Sequence, residues 1–275
     1  MKYIIKKNII FVEKQDFNPK HILECGQIFS YEFVDNHYIV YSADKKAEIF
    51  EEANEYKILC SDVEYFKNFF DLNTDYSIIK KELSNFEILK KPIEFGSGIR
   101  ILRNNKFEML ISFIISANNN IKRIQKIINS IKLACGTNMG GYIAFPTRDQ
   151  MQNLSIEDFK KFGAGYRANY LYKVLRQVDE KTLESWDNLD TTSLKTKLIE
   201  LSGVGPKVAD CILLFGYNRQ DVFPVDTWIE QMYNEYIDSN LHNRVQIRNN
   251  LVEMFDNLSG YAQQYLFYYQ RSAEK

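Results

Sequence analysis

A lysine, an aspartate and two glycines stand at spacings suited to covalent chemistry in residues 198 to 230, LIELSGVGPKVADCILLFGYNRQDVFPVDTWIE. Gly203-Val204-Gly205-Pro206 separates two apolar-periodic stretches, one carrying Leu194, Leu198, Ile199 and Leu201, the other Val208, Ile212, Leu213 and Phe215. That pattern predicts a helix-hairpin-helix. Two glycines in a tight turn permit positive φ and leave backbone N–H groups uncovered, a geometry that suits a nucleic-acid phosphate. Gly205 is placed to cap the second helix, and Pro206 takes a first-turn position that needs no donor. Lys207 then falls in the first turn, the unfavourable end of the helix dipole for a cation, where an ammonium gives up its proton more readily. A neutral amine is a nucleophile. Asp226, nineteen residues later, follows Pro224-Val225 as the N-cap of the next helix, its carboxylate directed back toward the hairpin.

This arrangement resembles the helix-hairpin-helix DNA glycosylase superfamily, in which such a hairpin is followed by a Gly/Pro-rich loop and an aspartate. The resemblance implies that Lys207 is the nucleophile, that Asp226 assists it, and that Gly203 and Gly205 meet the DNA backbone. It also implies that the carbonyls of Ile199, Leu201 and Val204 hold a structural cation bridging to a DNA phosphate. Two positions depart from the pattern. Ser202 stands where proline is common, and Trp228 stands where a histidine often supports the flipped nucleotide.

Four further segments narrow the resemblance. Ser116-Ala117-Asn118-Asn119-Asn120 follows an apolar helix with three asparagines, poor helix interior but a good cap and turn. Gly163-Ala164-Gly165-Tyr166-Arg167 sets an aromatic and a cation directly after two flexible glycines, as suits a wedge entering a base stack. Cys25-Gly26-Gln27-Ile28-Phe29 reads as the start of a strand whose glycine lets the backbone approach a ligand closely. Gln263 and Phe267 in Gly260-Tyr261-Ala262-Gln263-Gln264-Tyr265-Leu266-Phe267 share a helix face, an amide to read a base edge and a ring to stack on it.

From Cys25 to Arg271 these segments are similar to the eukaryotic-type 8-oxoguanine DNA glycosylase/AP lyases. The resemblance implies that Asn118 fills the gap left by an extruded nucleotide, that Arg123 and Arg167 read the orphaned opposite base, and that Tyr166 is the wedge. Guanidinium donors suit the O2 and N3 acceptors of cytosine. The lesion carries N7–H where guanine has an acceptor, so the Gly26 carbonyl can tell them apart, while Cys211, four residues after Lys207, lines the other side of the stack. The implied partner is double-stranded DNA with oxidised guanine, and no cofactor is needed for the chemistry. Two rivals remain: a glycosylase of this superfamily for another damaged base, and a non-catalytic DNA-binding protein. The absence of an iron-sulfur cysteine cluster disfavours an oxidised-pyrimidine enzyme, and Lys207 disfavours an alkylbase enzyme, which typically uses only the aspartate. A non-catalytic binder has no need of Lys207, Asp226, Gly26 and Gln263 together.

The elements that must position these residues follow from periodicity. Residues 3–5, 9–12, 27–33, 38–41 and 47–50 read as strands separated by turn signals, giving an antiparallel sheet. Helical periods are read over 63–70 and 76–83, and from about Gly96 they dominate: 107–116, 121–134, 156–162, 168–177, 191–201, 207–215, 227–236, 244–254 and 260–272. The expected class is α+β: a small antiparallel sheet domain over 1–95 packed on a helical body over 96–275, with a cleft where they meet.

Composition sets the bounds. The chain has 275 residues, 45% hydrophobic and 26% charged, with a net charge of -1, which counts against a non-specific DNA coat protein. Six basic residues and one acid between Arg103 and Lys132 predict a local basic face. Cys25, Cys60, Cys135 and Cys211 are scattered, as are the three histidines, which argues against zinc and an iron-sulfur loop. No run of 18 apolar residues and no signal-peptide core occur, so the expectation is a cytoplasmic, nucleoid-associated monomer with no membrane contact.

Overall fold

The structure, a computed structural model, describes residues 2–273. Its strands are β1 (Tyr3–Lys6), β2 (Ile9–Glu13), β3 (Tyr31–Val34), β4 (His37–Ser42), β5 (Lys45–Glu51) and β6 (Glu55–Cys60). They form one sheet in the order β1-β2-β6-β5-β4-β3. Antiparallel registers set Tyr3 opposite Val12, Ile9 opposite Leu59 and Tyr31 opposite Val40. Side chains alternate at period two, so Ile10, Val12, Ala47, Ile49, Tyr56 and Ile58 are buried while their neighbours along each strand are not.

The helices are α1 (Pro19–Leu23), α2 (Val63–Phe69), α3 (Tyr76–Leu83), α4 (Lys90–Phe95), α5 (Lys106–Ser116), α6 (Ile121–Cys135), α7 (Arg148–Met151) and α8 (Ile156–Lys161). They continue with α9 (Arg167–Val174), α10 (Glu180–Ser185), α11 (Thr191–Ile199), α12 (Pro206–Gly216), α13 (Thr227–Tyr236), α14 (Arg244–Phe255) and α15 (Ser259–Ala273). The class is α+β, as the periodicities predict.

The chain divides into two compact units, and each draws on separate stretches. The first takes the residues up to Gln27, Ile49–Arg103 and the chain from Asn218 onward; the second takes Ile28–Glu48 and Asn104–Tyr217. This division differs from a single cut at residue 95. In the first unit α3, α13, α14 and α15 share a core around Tyr76, Leu83, Phe223, Ile229, Leu251 and Tyr265. Arg100 is fully buried beside it. Its guanidinium donates to the carbonyls of Phe70 at 2.9 Å, Thr74 at 2.9 Å, Asp16 at 3.2 Å and Asp71, which satisfies a cation that water no longer reaches.

The second unit is built around α5. Residues 107–115 are buried on every side, the mark of a central helix, and α6, α9, α10 and α12 pack around it. Glu108 on α5 accepts from Ser30 Oγ at 2.7 Å and from the Ala43 N–H at 3.0 Å, tying the 28–48 stretch to the helices. Burial pushes the Glu108 carboxyl up from its ordinary range, and the nearby Lys132 ammonium opposes that shift.

Candidate active site

The hairpin lies between α11 and α12, in the second unit. Val204 N–H donates to the Leu201 carbonyl at 3.1 Å and closes the turn. Gly203 has φ +85°, and a β-carbon there would come within 2.7 Å of Tyr170 Cβ. Gly205 does not use positive φ: it caps α12 from extended backbone at φ −88°, so only one of the two glycines supplies the conformation expected of both. The Ser202 N–H donates to Gln177 Oε1 at 2.8 Å, a bond that proline at this position could not make. An ion pair of 2.7 Å from Lys195 to buried Asp210 fastens α11 to α12.

Lys207 is the second residue of α12 and half-buried. Its ammonium lies 5.7 Å from the centroid of Phe113, a ring that stacks on Phe215 at 5.5 Å and meets Phe29 edge-on at 5.9 Å. The amine therefore stands against an apolar wall at a helix N-terminus. Cys211 lies one turn further along α12 and is buried.

The same unit brings Asn118, Arg123, Tyr166 and Arg167 together. Asn118 is exposed, with φ +50°, just after α5 ends. Arg123 is exposed and donates to the Gly163 carbonyl at 3.0 Å. Tyr166 is 53% exposed, and its hydroxyl reaches the Ala117 carbonyl at 3.3 Å. Arg167 differs from what its position suggests. It is 2% exposed, and it donates to the carbonyls of Ala117 at 2.8 Å, Asn118 at 2.7 Å and Ala164 at 3.3 Å, with the Tyr166 ring 4.4 Å away. Burial pulls its pKa down, the Tyr166 hydroxyl opposes this, and the Arg123 cation adds to it. Arg167 thus joins the asparagine turn to the tyrosine loop, and of the two arginines only Arg123 presents an exposed guanidinium.

The basic face is also smaller than its composition predicts. Arg103 pairs with Asp71 at 2.9 Å, Lys106 with Asp187 at 2.7 Å, and Lys132 is buried with its ammonium 4.6 Å from the Tyr41 ring. Lys122, Arg123 and Lys126 remain exposed along α6.

Asp226, Trp228, Gly26, Gln263 and Phe267 belong to the first unit. Asp226 caps α13, and both cap bonds reach the same oxygen: Oδ1 accepts from the N–H of Trp228 at 3.0 Å and of Ile229 at 3.1 Å. That leaves Oδ2 outside the cap. Gly26 lies in a turn after α1, not at the start of a strand; β3 begins at Tyr31, and Gln27 in between is buried. Gln27 donates to the carbonyls of Ile22 at 2.8 Å and Arg100 at 2.7 Å and accepts from the Leu102 N–H at 2.8 Å. The Gly26 backbone has φ +88°, and a β-carbon there would lie 3.1 Å from Phe267 Cε1. Gln263 is buried, donates to the Pro224 carbonyl at 3.4 Å, and its Oε1 has no hydrogen-bond partner among the described residues. A buried amide oxygen left unpaired is a site that the edge of a ligand can satisfy. Burial pushes the adjacent Cys25 thiol up to about 11, so it stays protonated near neutral pH.

Sequence reasoning passed over Gln177, Asp210 and Gln264, whose roles depend on partners distant in the chain. The signal for Gln264 is that it is the second of two consecutive glutamines in a run rich in Tyr, Leu and Phe.

Known proteins fit this geometry. Residues 9–110 match the family model "8-oxoguanine DNA glycosylase, N-terminal domain" and residues 111–255 match "HhH-GPD superfamily base excision DNA repair protein". The chain belongs to the 8-oxoguanine DNA glycosylase family. Among solved structures, the Clostridium acetobutylicum 8-oxoguanine glycosylase/lyase, in complex with dsDNA containing cytosine opposite to 8-oxoG, is 38% identical with a TM-score of 0.92. The match covers 100% of this chain and 99% of that one. The probable N-glycosylase/DNA lyase of Methanothermobacter thermautotrophicus is 31% identical over 245 residues, 78% of this chain and 76% of its own length. The N-glycosylase/DNA lyase OGG1 of Arabidopsis thaliana is 32% identical over 212 residues, 68% of this chain, and the match spans only 57% of that longer protein. The hairpin and Lys207 lie within the stretch matched to the superfamily, and the Gly26 turn within the stretch matched to the 8-oxoguanine glycosylase domain.

Proposed function

We propose that the chain excises 8-oxoguanine from double-stranded DNA, with cytosine as the preferred opposite base, and then cleaves the strand as an AP lyase. The observation that carries this reading is the half-buried amine of Lys207, fixed in the first turn of the hairpin helix of an 8-oxoguanine DNA glycosylase family member.

The bond changes need only an amine and a carboxylate. The Lys207 amine, having lost a proton, forms a bond to C1′ of the extruded nucleotide while the N-glycosidic bond breaks and the base leaves with the electron pair. Asp226 stabilises positive charge on the sugar and takes up or positions the lysine proton. The aminal then opens to a Schiff base on Lys207. Loss of a C2′ proton expels the 3′ phosphate oxygen by β-elimination, and water releases the amine. Gly26 accepts from the N7–H of the lesion, Phe267 and Cys211 sandwich the base, and the Gln263 amide reads its edge. A base taken out of the stack costs a few kcal/mol, offset in part by Tyr166 entering the gap with Asn118. Trp228 lies beside the flipped nucleotide.

The carbonyls of Ile199, Leu201 and Val204, with the hairpin N–H groups of Gly203 and Gly205, form the phosphate grip. The Leu201 oxygen accepts one hydrogen bond and retains a second lone pair, which fits a hard cation held by oxygen ligands. Such a cation would supply charge against a DNA phosphate and take no part in bond making. Among the described residues, no helix is long and apolar enough to cross a membrane. The substrate sets the compartment in this reading: a monomer working in the cytoplasm at the nucleoid.

Borohydride trapping on an 8-oxoguanine:cytosine duplex tests the proposal. A covalent protein–DNA adduct together with free 8-oxoguanine is the expected result. Tight binding to the duplex with neither product would return the chain to the class of non-catalytic DNA binders.

A further inference from the structure

Helix α15 carries Gln264, Phe267 and Arg271 at i, i+3 and i+7, one stripe along the helix. Gln264 is buried and donates to the Cys25 carbonyl at 2.9 Å. Arg271 donates to the Glu24 carbonyl, and its guanidinium carbon lies 5.2 Å from the centroid of Phe267. The two carbonyls that precede Gly26 are therefore both held by this helix. Gly26 itself rests against the same stripe, its α-carbon so close that an added β-carbon would meet Arg271 Nη1 at 3.0 Å and Phe267 Cε1 at 3.1 Å.

A peptide chain whose consecutive carbonyls are pinned has little freedom in the direction of the next one. Charge-assisted bonds such as that of Arg271 are the stronger kind, and the same guanidinium also holds the ring against which a base would stack. We infer that Arg271 and Gln264 are positioning residues for lesion recognition: they orient the Gly26 carbonyl and the Phe267 ring as one rigid surface. The inference rests on the reading of Gly26 and Phe267 given under the proposed function. Neither side chain needs to touch the base.

The test compares two reactions of the full chain under single-turnover conditions: excision of 8-oxoguanine opposite cytosine, and strand cleavage at a preformed abasic site. The second uses Lys207 but has no base to recognise. Because small misplacements of a positioned group are costly, Arg271→Met should slow excision by about tenfold or more and leave abasic cleavage within about twofold. Arg271→Lys, which keeps the cation but not the fork, should fall between Arg271→Met and the parent. Gln264→Leu should separate the two reactions in the same direction. Equal loss in both reactions, or no loss in either, would overturn the positioning role. Should Arg271→Met fail to fold, as judged by its melting curve, the Arg271→Lys comparison decides. A parent chain that cleaves abasic sites but leaves 8-oxoguanine untouched would instead overturn the substrate reading.

Discussion

The turn at Gly26 and the loop at Tyr166 are held in opposite ways. Around Gly26 the fastening side chains are Gln27 and Gln264, both buried, and Arg271, half-buried: Gln264 and Arg271 hold the carbonyls of Cys25 and Glu24, and Gln27 ties the turn to Ile22, Arg100 and Leu102. Around Tyr166 the fastening side chain is Arg167, which is buried, while Tyr166, Asn118 and Arg123 stand in solvent. The difference follows from what each must do. A carbonyl that distinguishes one N–H from one lone pair depends on an interaction that weakens steeply with angle and distance, so it has to be fixed in advance. A wedge that enters a base stack has to leave water to do so, and it needs only a firm base.

The sharpest way to break this comparison is to remove the chemistry that both regions serve. Lys207→Gln should abolish base release and adduct trapping, with duplex affinity measured by anisotropy changing only slightly, since neither recognition region is touched. Base release by that variant would mean that water is the nucleophile.

Gly26→Ala comes next. It places a methyl group at positive φ and against Phe267 and Arg271, so excision should fall by about a hundredfold while abasic cleavage persists. Normal excision by this variant would end the idea of a rigid reader. Tyr166→Ala should be milder, because one lost stacking contact is worth about 1–3 kcal/mol, and it should slow excision of every lesion tested by a similar factor. A change in the ranking of lesions would show that the wedge also recognises the base.

The smallest effect is expected from Arg123→Ala, read across a panel of four opposite bases. If its exposed guanidinium donates to cytosine, the variant should flatten the panel by a few fold, the scale of a single hydrogen bond of about 1 kcal/mol. Uniform weakening across the panel would assign Arg123 to phosphate instead.

Much of the helical frame was legible because long amphipathic periods are strong local signals. The helix Thr227–Tyr236 has the limits that its periodicity predicts, and the hairpin follows from Gly203 and Pro206. Short helices such as Pro19–Leu23, Arg148–Met151 and Glu180–Ser185 were not, since one turn carries no period. Strand Glu55–Cys60 was hidden by Lys57, which faces away from the buried side between Tyr56 and Ile58. In the site, residue types pointed to Lys207, Asp226 and Phe267, but the surroundings of charged and polar side chains did not show. Arg167, Arg103 and Lys132 read as surface cations because the carbonyls, the carboxylate and the ring that occupy them lie elsewhere in the chain. For the same reason a helical period reveals that one face of α15 is buried and is silent on the turn at Gly26 that it covers.

The wide sequence separation of the contacts at Gly26 also has a consequence for the newborn protein. The residues that pin the turn follow it by 239 positions for Gln264 and Cys25 and by 247 for Arg271 and Glu24. On a ribosome adding about 5–20 residues per second, the turn therefore waits on the order of 10 s or more for its partners. The second unit, which bears Lys207, contains no residue beyond Tyr217. During synthesis, then, the segment that carries Lys207 emerges before the helix that carries Gln264 and Arg271, the side chains that pin the turn.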